Sequence, residues 1–148
     1  LQLSEASVAQ LIYPVGFYRT KARDILRICA ILCAQYAGEV PRSRDELLAL
    51  PGVGLKTANL VLAVGHHIPA ICVDIHVHRI CNRWGYLDTS TPEASEAALT
   101  ASVPVAYWMH INELLVTLGQ QICTPTSPRC TQCPINDVCA KRGVTRYR

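Results

Sequence analysis

Charged and aromatic residues are scarce in this sequence. Asp, Glu, Lys and Arg together make up 17% of the 148 residues, and Phe, Trp and Tyr make up 6%. Because half of the residues are hydrophobic, the low charge indicates a folded core and argues against disorder. The length suits one ordinary domain or two small domains that share an interface. The formal net charge of +3 permits a polyanionic partner without requiring one.

Long apolar runs and alternating patterns are also missing. No run of eighteen apolar residues occurs, which predicts that no segment spans a membrane. The first ten residues, LQLSEASVAQ, have neither a basic region nor an apolar core, so they are not expected to form a signal peptide. No segment shows sustained alternation of apolar and polar residues, and the pattern therefore predicts an all-α protein.

Apolar residues recur at helical spacing, and local start and stop signals divide the chain into helices. Ser43 and Glu46 form a predicted capping box. Asp74 is a predicted N-cap, and Pro92 is expected at the first position of its helix. Gly38 is predicted at the C′ position that ends the second helix. The predicted helices cover about residues 5–13, 19–37, 44–50, 55–65, 75–84, 92–101, 105–121 and 134–140.

Residues 50–59, LPGVGLKTAN, predict a tight glycine turn between two helices. Gly52 and Gly54 tolerate a positive φ and a close approach that a Cβ would block. Their amides, with those of the next helix start, lack intrahelical partners and can hold a backbone phosphate of a nucleic acid. A tight corner between two helices that binds nothing explains the same spacing. The spacing alone does not separate the two interpretations.

Lys56 lies in the first turn of the helix that follows, where the helix dipole disfavours a cation. A neutral lysine amine is a nucleophile that forms Schiff bases with aldehyde-like carbons. The alternative is an exposed lysine that binds a phosphate. Asp74 comes fifteen residues after the motif. A carboxylate near this lysine can take a proton or stabilise positive charge, and it can cap its own helix at the same time.

The eight cysteines fall into two groups. Four lie in apolar patterns and are predicted to pack in the core as small hydrophobic residues: Cys29, Cys33, Cys72 and Cys81. Four others crowd into seventeen residues with the spacing C-x6-C-x2-C-x5-C: Cys123, Cys130, Cys133 and Cys139. This spacing suits one 4Fe–4S cluster better than zinc, because zinc ribbons pair two CxxC arms across a longer gap. The split predicts a reducing compartment with one metal site.

Basic residues flank the cysteine-rich loop. They can offset the negative charge of a cluster, face a phosphate backbone, or form a solvated tail. The residues are Arg129, Lys141, Arg142, Arg146 and Arg148.

Together these residues resemble the endonuclease III group of helix-hairpin-helix DNA glycosylases. LPGVGLKTAN is similar to the hairpin motif of that family, and CVDIHVHRICNR at 72–83 is similar to its aspartate motif. The spacing from Cys123 to Cys139 is that of its 4Fe–4S loop. The order and separation of the three motifs also match, so the resemblance covers essentially the whole chain.

The resemblance implies the helix-hairpin-helix DNA glycosylase fold, with helical domains at 1–68 and 69–148 and a lesion cleft between them. It implies a base-excision repair enzyme that removes oxidised or damaged pyrimidines from duplex DNA and nicks the strand. Lys56 would attack C1′ of a nucleoside flipped from the stack, and Asp74 would activate the lysine or stabilise the sugar cation. The four cysteines of the loop would hold a 4Fe–4S cluster, with zinc as the alternative.

The resemblance also assigns contacts with DNA. Phe17 would be a wedge that fills the gap left by the flipped base, and a place in the core is the alternative for this residue. Further contacts are assigned to Gly52, Val53, Gly54, Thr57 and His76. The expected partner is double-stranded DNA with a damaged base or an abasic site, bound by a monomer in the bacterial cytoplasm at the nucleoid.

Two other functions fit the same motifs. A monofunctional mismatch glycosylase would only hydrolyse the glycosidic bond, and its relatives place another residue where Lys56 stands. A non-catalytic DNA-binding module would use the hairpin and the metal loop alone. Members of the family carry a further region before the point that matches Leu1, and this chain does not begin with Met. It is therefore expected to be a shortened form with an exposed apolar groove where the missing helices would pack.

Overall fold

The structure is a computed structural model that describes residues 2–148. Within those residues every regular element is a helix, which confirms the predicted all-α class. The α-helices are α1 (Glu5–Leu11), α2 (Tyr18–Gln35), α3 (Arg44–Leu48), α4 (Leu55–Leu60), α5 (Ile75–Trp84), α6 (Pro92–Ser102) and α7 (Trp108–Gln121). A π-helix covers Val61–Gly65, and 3-10 turns cover Val105–Tyr107 and Cys130–Gln132. Across the described residues, no helix is long and apolar enough to cross a membrane.

The chain divides into two compact units, residues 1–54 and 55–148. The division falls inside the LPGVGLKTAN motif, so the glycine turn belongs to the first unit and Lys56 belongs to the second. The domain boundary between residues 68 and 69 that the resemblance implies stays a prediction.

The first unit is built on α2, along which α1 packs. Ser4 caps α1, because its hydroxyl accepts a hydrogen bond from the Ser7 amide at 3.2 Å. The left-handed turn that ends α2 has a φ of +86° at Gly38, whose amide donates to Leu32 O at 2.9 Å. Because the C-cap is Tyr36, the C′ position predicted for Gly38 is wrong by one residue: Ala37 lies there with a φ of +52°, and Gly38 follows it. The buried side chains of this unit include Val8, Ala22 and Leu47.

Two further predictions for the first unit are wrong. Ser43 is the N-cap of α3, but its side chain makes no capping hydrogen bond, so it forms no capping box with Glu46. Asp45 and Glu46 in the first turn still complement the helix dipole. On α2, Cys33 is exposed and Cys29 is only half-buried. Helical spacing placed both thiols on the apolar face, but spacing does not show whether another element covers that face.

In the second unit, α5 packs against α6 and α7. The core is one apolar cluster of Ile71, Val73, Val77, Ile80, Cys81, Leu87, Leu99 and Leu115. Trp108, Ile111 and Leu118 of α7 pack against it. At Gly119, α7 approaches α5 so closely that a Cβ on this glycine would lie 2.7 Å from His76 Cδ2. The missing side chain of Gly119 therefore permits this packing.

The ends of α5 and α6 follow from local signals in the sequence. Asp74 is the N-cap of α5, and Gly85 with a φ of +79° is its C-cap. Pro92 occupies the first turn of α6, and the Thr91 side chain caps that helix by accepting from the Ala94 amide. These ends confirm the predicted N-cap at Asp74 and the predicted start at Pro92.

Two segments of the second unit differ from the prediction. The helix expected over 55–65 is α-helical only to Leu60 and continues as a π-helix. The helix expected from Pro134 to about 140 does not form. Isolated turns replace it, such as the one closed by the Asn136 amide on Cys133 O at 3.1 Å.

An apolar groove opens on the second unit among residues of α5, α6 and α7. It holds about 300 Å³, and the exposed side chains of Tyr107 and Leu114 line it. Exposed apolar surface of this kind was expected for the chain. What packs there stays a prediction.

Candidate functional site

Lys56 is the second residue of α4, and it is exposed. Its main-chain carbonyl accepts a hydrogen bond from the Cys72 thiol, with 3.5 Å between sulfur and oxygen. Lys56 also lines a small cavity together with Asn59, Val73 and Glu96. The lysine is therefore an exposed residue that also contributes to the wall of this cavity.

Asp74 uses both carboxylate oxygens at the start of α5. Oδ1 accepts hydrogen bonds from the amides of His76 at 2.8 Å and Val77 at 3.0 Å, and Oδ2 lies 2.9 Å from His76 Nδ1. Burial acts against the ionised form, but these hydrogen bonds outweigh it and hold the pKa of Asp74 below its ordinary value. Asp74 is therefore an anion in a fixed position at neutral pH.

The Cys72 thiol lies near both predicted catalytic residues, Lys56 and Asp74, and their charges affect its pKa. It is buried, with 2% of its surface exposed. Burial raises the pKa of Cys72, the positive charge of Lys56 lowers it, and the negative charge of Asp74 raises it. The thiol donates to Lys56 O, and Asp74 lies two residues further along the chain, so Lys56 and Asp74 both lie near this buried sulfur. The raised pKa keeps the thiol protonated and unreactive.

Asn59 lies one turn after Lys56 and is fully buried. Its Nδ2 donates to Ile71 O at 2.9 Å and to Glu96 Oε1 at 3.0 Å. These bonds tie α4 to α6 and to the segment that leads to Asp74. The hydrogen-bonded pair of Asn59 and Glu96 is not predicted from the sequence, although a polar residue on the buried side of a helix indicates a specific partner.

The glycine turn has the positive φ and the close approach that its sequence predicts. Gly52 has a φ of +73°, and a Cβ on it would lie 2.9 Å from Asp24 Oδ2. The Val53 amide donates to Leu50 O at 3.2 Å within the turn. In residues 2–148, the amides of Gly52 and Gly54 donate to no main-chain carbonyl. Two amides thus remain for a ligand, and phosphate binding by this turn stays a prediction.

Phe17 is 86% exposed, so its predicted alternative place in the core is wrong. It has a φ of +57° and precedes the first residue of α2. A bulky residue rarely adopts this conformation, and such strain concentrates at functional sites. Nearby, the rings of Tyr13 and Tyr18 pack edge to face with 5.5 Å between their centroids. The exposed ring fits the predicted wedge, and its contact with DNA stays a prediction.

One cavity of the second unit brings together the cysteines of the loop. It is lined by Cys123, Cys130, Cys133 and Cys139, and by apolar side chains that include Trp84, Ile122 and Val144. Burial raises the pKa of the Cys130 thiol, Lys141 opposes the rise, and the other three thiols add to it. The four sulfurs are therefore close enough to act on one another.

The four cysteines of the loop are the candidate ligands of the predicted metal site. Zinc requires its sulfur ligands at about 2.3 Å from a single point. In the described part of the chain, no group of three or more His, Cys, Asp or Glu side chains is arranged to hold a single metal ion. Four thiols that line one cavity are a donor set for a 4Fe–4S cluster, and zinc can use the same four thiols.

Comparison with known proteins identifies the family. The model of the HhH-GPD superfamily of base excision DNA repair proteins matches residues 1–104, and that of the iron–sulfur binding domain of endonuclease III matches residues 123–139. Endonuclease III of Treponema pallidum is 39% identical over 144 residues, which make up 97% of this chain and 68% of the relative. The chain belongs to the endonuclease III family.

Other members of the endonuclease III family extend the comparison. Endonuclease III homolog 2, chloroplastic, of Arabidopsis thaliana is 47% identical over 91% of this chain. The chain spans only 37% of the length of that relative. A solved endonuclease III trapped in a covalent intermediate with DNA is 39% identical, with a TM-score of 0.87 over 94% of this chain and 66% of its own. These matches confirm the predicted fold and, with the loop match, the 4Fe–4S cofactor of the family.

Proposed function

We propose that this chain removes oxidised or otherwise damaged pyrimidines from duplex DNA and then nicks the strand by β-elimination. The proposal rests on Lys56 and Asp74, which both lie next to the buried Cys72: its thiol donates to Lys56 O at 3.5 Å, and Asp74 lies two residues further along the chain. An amine and a fixed carboxylate in one site are the groups that a Schiff-base mechanism needs. The endonuclease III relative trapped in a covalent intermediate with DNA supports a covalent route.

In the first step the neutral amine of Lys56 attacks C1′ of the damaged nucleoside. The glycosidic bond breaks, and the base leaves with the bonding electrons and takes up a proton. Positive charge develops on the sugar, and the ionised Asp74 stabilises it. We assign Asp74 this electrostatic role, because a carboxylate with a lowered pKa is a weaker proton acceptor.

In the second step the sugar ring opens, and a protonated Schiff base forms between Lys56 Nζ and C1′. The positively charged imine withdraws electrons and acidifies the proton on C2′. Loss of that proton forms a C2′–C3′ double bond and breaks the C3′–O bond, so the phosphate on that oxygen leaves with the electron pair. Water then hydrolyses the Schiff base and frees Lys56.

The proposed ligands of the 4Fe–4S cluster are Cys123, Cys130, Cys133 and Cys139, which line one cavity. When bound, the cluster crosslinks a loop that has little regular structure of its own. The residues that act on the nucleoside do not need it as a reactant. The cluster thus has a structural role in this proposal.

Contacts with DNA are proposed for the residues that the resemblance assigns: Phe17, Gly52, Val53, Gly54, Thr57 and His76. The turn amides would hold phosphates, and Thr57 is exposed in the first turn of α4. His76 has only Nε2 left for DNA, because Nδ1 is engaged by Asp74. The proposed partner is duplex DNA with a damaged base or an abasic site, bound by a monomer. A place at the bacterial nucleoid in the cytoplasm is part of the same proposal.

Borohydride trapping tests the proposal directly, because reduction of a Schiff base leaves a permanent protein–DNA adduct. The substrates are duplexes that contain thymine glycol or an abasic site. Lys21, Lys56 and Lys141 are the lysines of this sequence, so each can be replaced by alanine in turn. We expect the adduct to disappear only in Lys56→Ala.

The other outcomes separate the remaining functions. Base release without any adduct would favour a monofunctional glycosylase. Binding to the duplex without base release or adduct would favour a non-catalytic module. An adduct that persists in Lys56→Ala would refute the assignment of the nucleophile.

A further inference from the structure

Arg83, in the last turn of α5, contacts both ends of the cysteine-rich loop. Its guanidinium Nη1 donates to Cys123 Sγ at 3.4 Å and to Thr124 O at 2.7 Å. Nη2 donates to Pro125 O at 2.6 Å. The planar guanidinium of Arg83 therefore contacts three consecutive residues of the loop, Cys123, Thr124 and Pro125.

The main-chain carbonyl of Arg83 reaches the other end of the loop. It accepts from the Arg142 amide at 3.0 Å, and the Cys139 sulfur lies 3.7 Å from it. The Lys141 amide donates to the same sulfur at 3.4 Å. Cys123 is thus bonded by a charged side chain, whereas Cys139 is bonded by the main chain.

A cationic N–H donor changes the properties of a thiolate that binds iron. It shares charge with the sulfur, and it restrains the direction in which the sulfur points. The reduction potential of an iron–sulfur cluster depends on its net charge and on hydrogen bonds to its sulfurs. A donor on one ligand therefore favours the more negative, reduced state of the cluster.

We propose that Arg83 is a positioning residue that keeps Cys123 bound to the 4Fe–4S cluster and raises the reduction potential of that cluster. The inference rests on the cofactor of the family and on the contacts of Arg83. It does not depend on the proposed glycosylase and lyase activity, since the readouts below follow the cluster alone.

The test compares Arg83→Met with Arg142→Met in the cluster-loaded protein. Arg142 is a matched control, because its side chain contacts Leu87 O and Asp88 and donates to neither Cys123 nor Cys139. Both variants lose one positive charge near the loop. In the presence of a chelator, we expect the visible absorbance of the cluster to fall about tenfold faster in Arg83→Met than in the control, as expected when an outer contact of a metal ligand is lost.

Electrochemistry of the bound cluster gives the second readout. The midpoint potential of its one-electron couple at an electrode should shift to a lower value in Arg83→Met and shift less in Arg142→Met. If both variants match each other in rate and in potential, the effect is one of charge alone, and the proposal is overturned.

Arg83→Lys keeps the test decisive if Arg83→Met does not fold. It retains the charge, but an ammonium cannot reproduce the planar fork that reaches Cys123 and two carbonyls together. We expect cluster loss faster than in the unchanged protein and a lowered potential. A lysine variant that behaves like the unchanged protein in both measurements would overturn the role of the guanidinium.

Discussion

Asp74 and His76 form a close pair at the start of α5, with 2.9 Å between Oδ2 of the carboxylate and Nδ1 of the ring. The other oxygen of Asp74 accepts from the His76 and Val77 amides. The same carboxylate thus caps a helix, orients an imidazole and supplies the proposed charge for the sugar cation. Its stability role and its chemical role can be separated, because asparagine also caps helices but carries no charge.

The first prediction concerns the acid stability that Asp74 provides. Its folded pKa lies below the ordinary value of 3.8, so its contribution to the free energy of unfolding is complete above that pH. It is lost as the pH falls through the folded value. Asp74→Asn should therefore be less stable than the unchanged protein at pH 7, and this difference should shrink in strong acid. Asp74→Ala should lose about a further 1 kcal/mol at both pH values, because the cap is also removed.

Urea unfolding at neutral and at strongly acidic pH checks this prediction. Asp88→Asn is the control, because the side chain of Asp88 is 98% exposed. Its effect should be small and should vary little with pH. An Asp74→Asn variant whose loss of stability stays constant down to strong acid would show that the charge of Asp74 does not stabilise the fold.

The second prediction concerns the close approach of α7 to α5. In Gly119→Ala the new Cβ would lie 2.7 Å from His76 Cδ2 and 3.0 Å from Arg79 Nη2. The His76 ring has to move, which disturbs its contact with Asp74. We expect a loss of about 1–3 kcal/mol, as is usual for overpacking, and a lower rate of adduct formation with a lesion-bearing duplex.

Gly65→Ala is the matched control for Gly119→Ala. Gly65 is also helical, and the nearest atom to its added Cβ is Val61 Cγ1 at 3.9 Å, an ordinary contact. We expect unchanged or slightly higher stability, since alanine favours a helix more than glycine does. Equal effects of the two substitutions would contradict the steric explanation.

The third prediction concerns the buried Asn59. Asn59→Asp replaces a donor with a carboxylate that faces Glu96 Oε1 and Ile71 O, both of which are acceptors. At neutral pH the unpaired buried charge should cost about 3–5 kcal/mol. Protonation restores a donor, so this cost should fall as the pH is lowered. Gln120→Glu, which adds the same charge at an exposed position of α7, should change stability by much less.

Urea unfolding of both variants across the acid range decides this prediction. A cost that is present at neutral pH and relieved in acid is the expected signature for Asn59→Asp. The same loss at every pH would instead point to a packing defect. The link from Asn59 to Glu96 would then carry little of the stability of α4.

Local signals explain which parts of this structure could be predicted. Asp74 and Gly85 mark the two ends of α5 in the sequence itself, because an N-cap and a left-handed C-cap depend only on neighbouring residues. The positions of Lys56 and Asp74 could be predicted for the same reason, since each lies at a helix start that the sequence marks.

Contacts between distant segments explain what could not be predicted. Asn59 and Glu96 lie in different helices, and helical periodicity carries no sign of which polar partner a buried residue finds. The exposure of Cys33 depends on what covers α2, and this is not encoded in the spacing of α2. The His76–Asp74 contact was hidden because residues at i and i+2 of a regular helix face apart, but Asp74 is an extended N-cap.

The last prediction separates seven of the eight cysteines, all except Cys29, by the cause of their protection. Cys33 is exposed and should react with iodoacetamide in the folded protein. Cys72 and Cys81 should not react, because both are buried and burial raises the pKa of each thiol, that of Cys81 to about 11. The four cysteines of the loop should be protected only while the cluster is bound. Removing the cluster by oxidation and chelation, followed by reduction, should expose these four to the reagent.

Peptide mass spectrometry after a timed reaction at pH 8 measures each thiol separately. A sample unfolded in denaturant is the control, and all eight cysteines should react there. Labelling of Cys130 while the visible absorbance of the cluster is intact would exclude Cys130 as a ligand. Labelling of Cys81 as fast as Cys33 would show that the core of the second unit opens readily. Burial protects a thiol until the protein unfolds, whereas iron binding protects it only until the cluster is removed. The reaction pattern therefore identifies the ligand set without any measurement of activity.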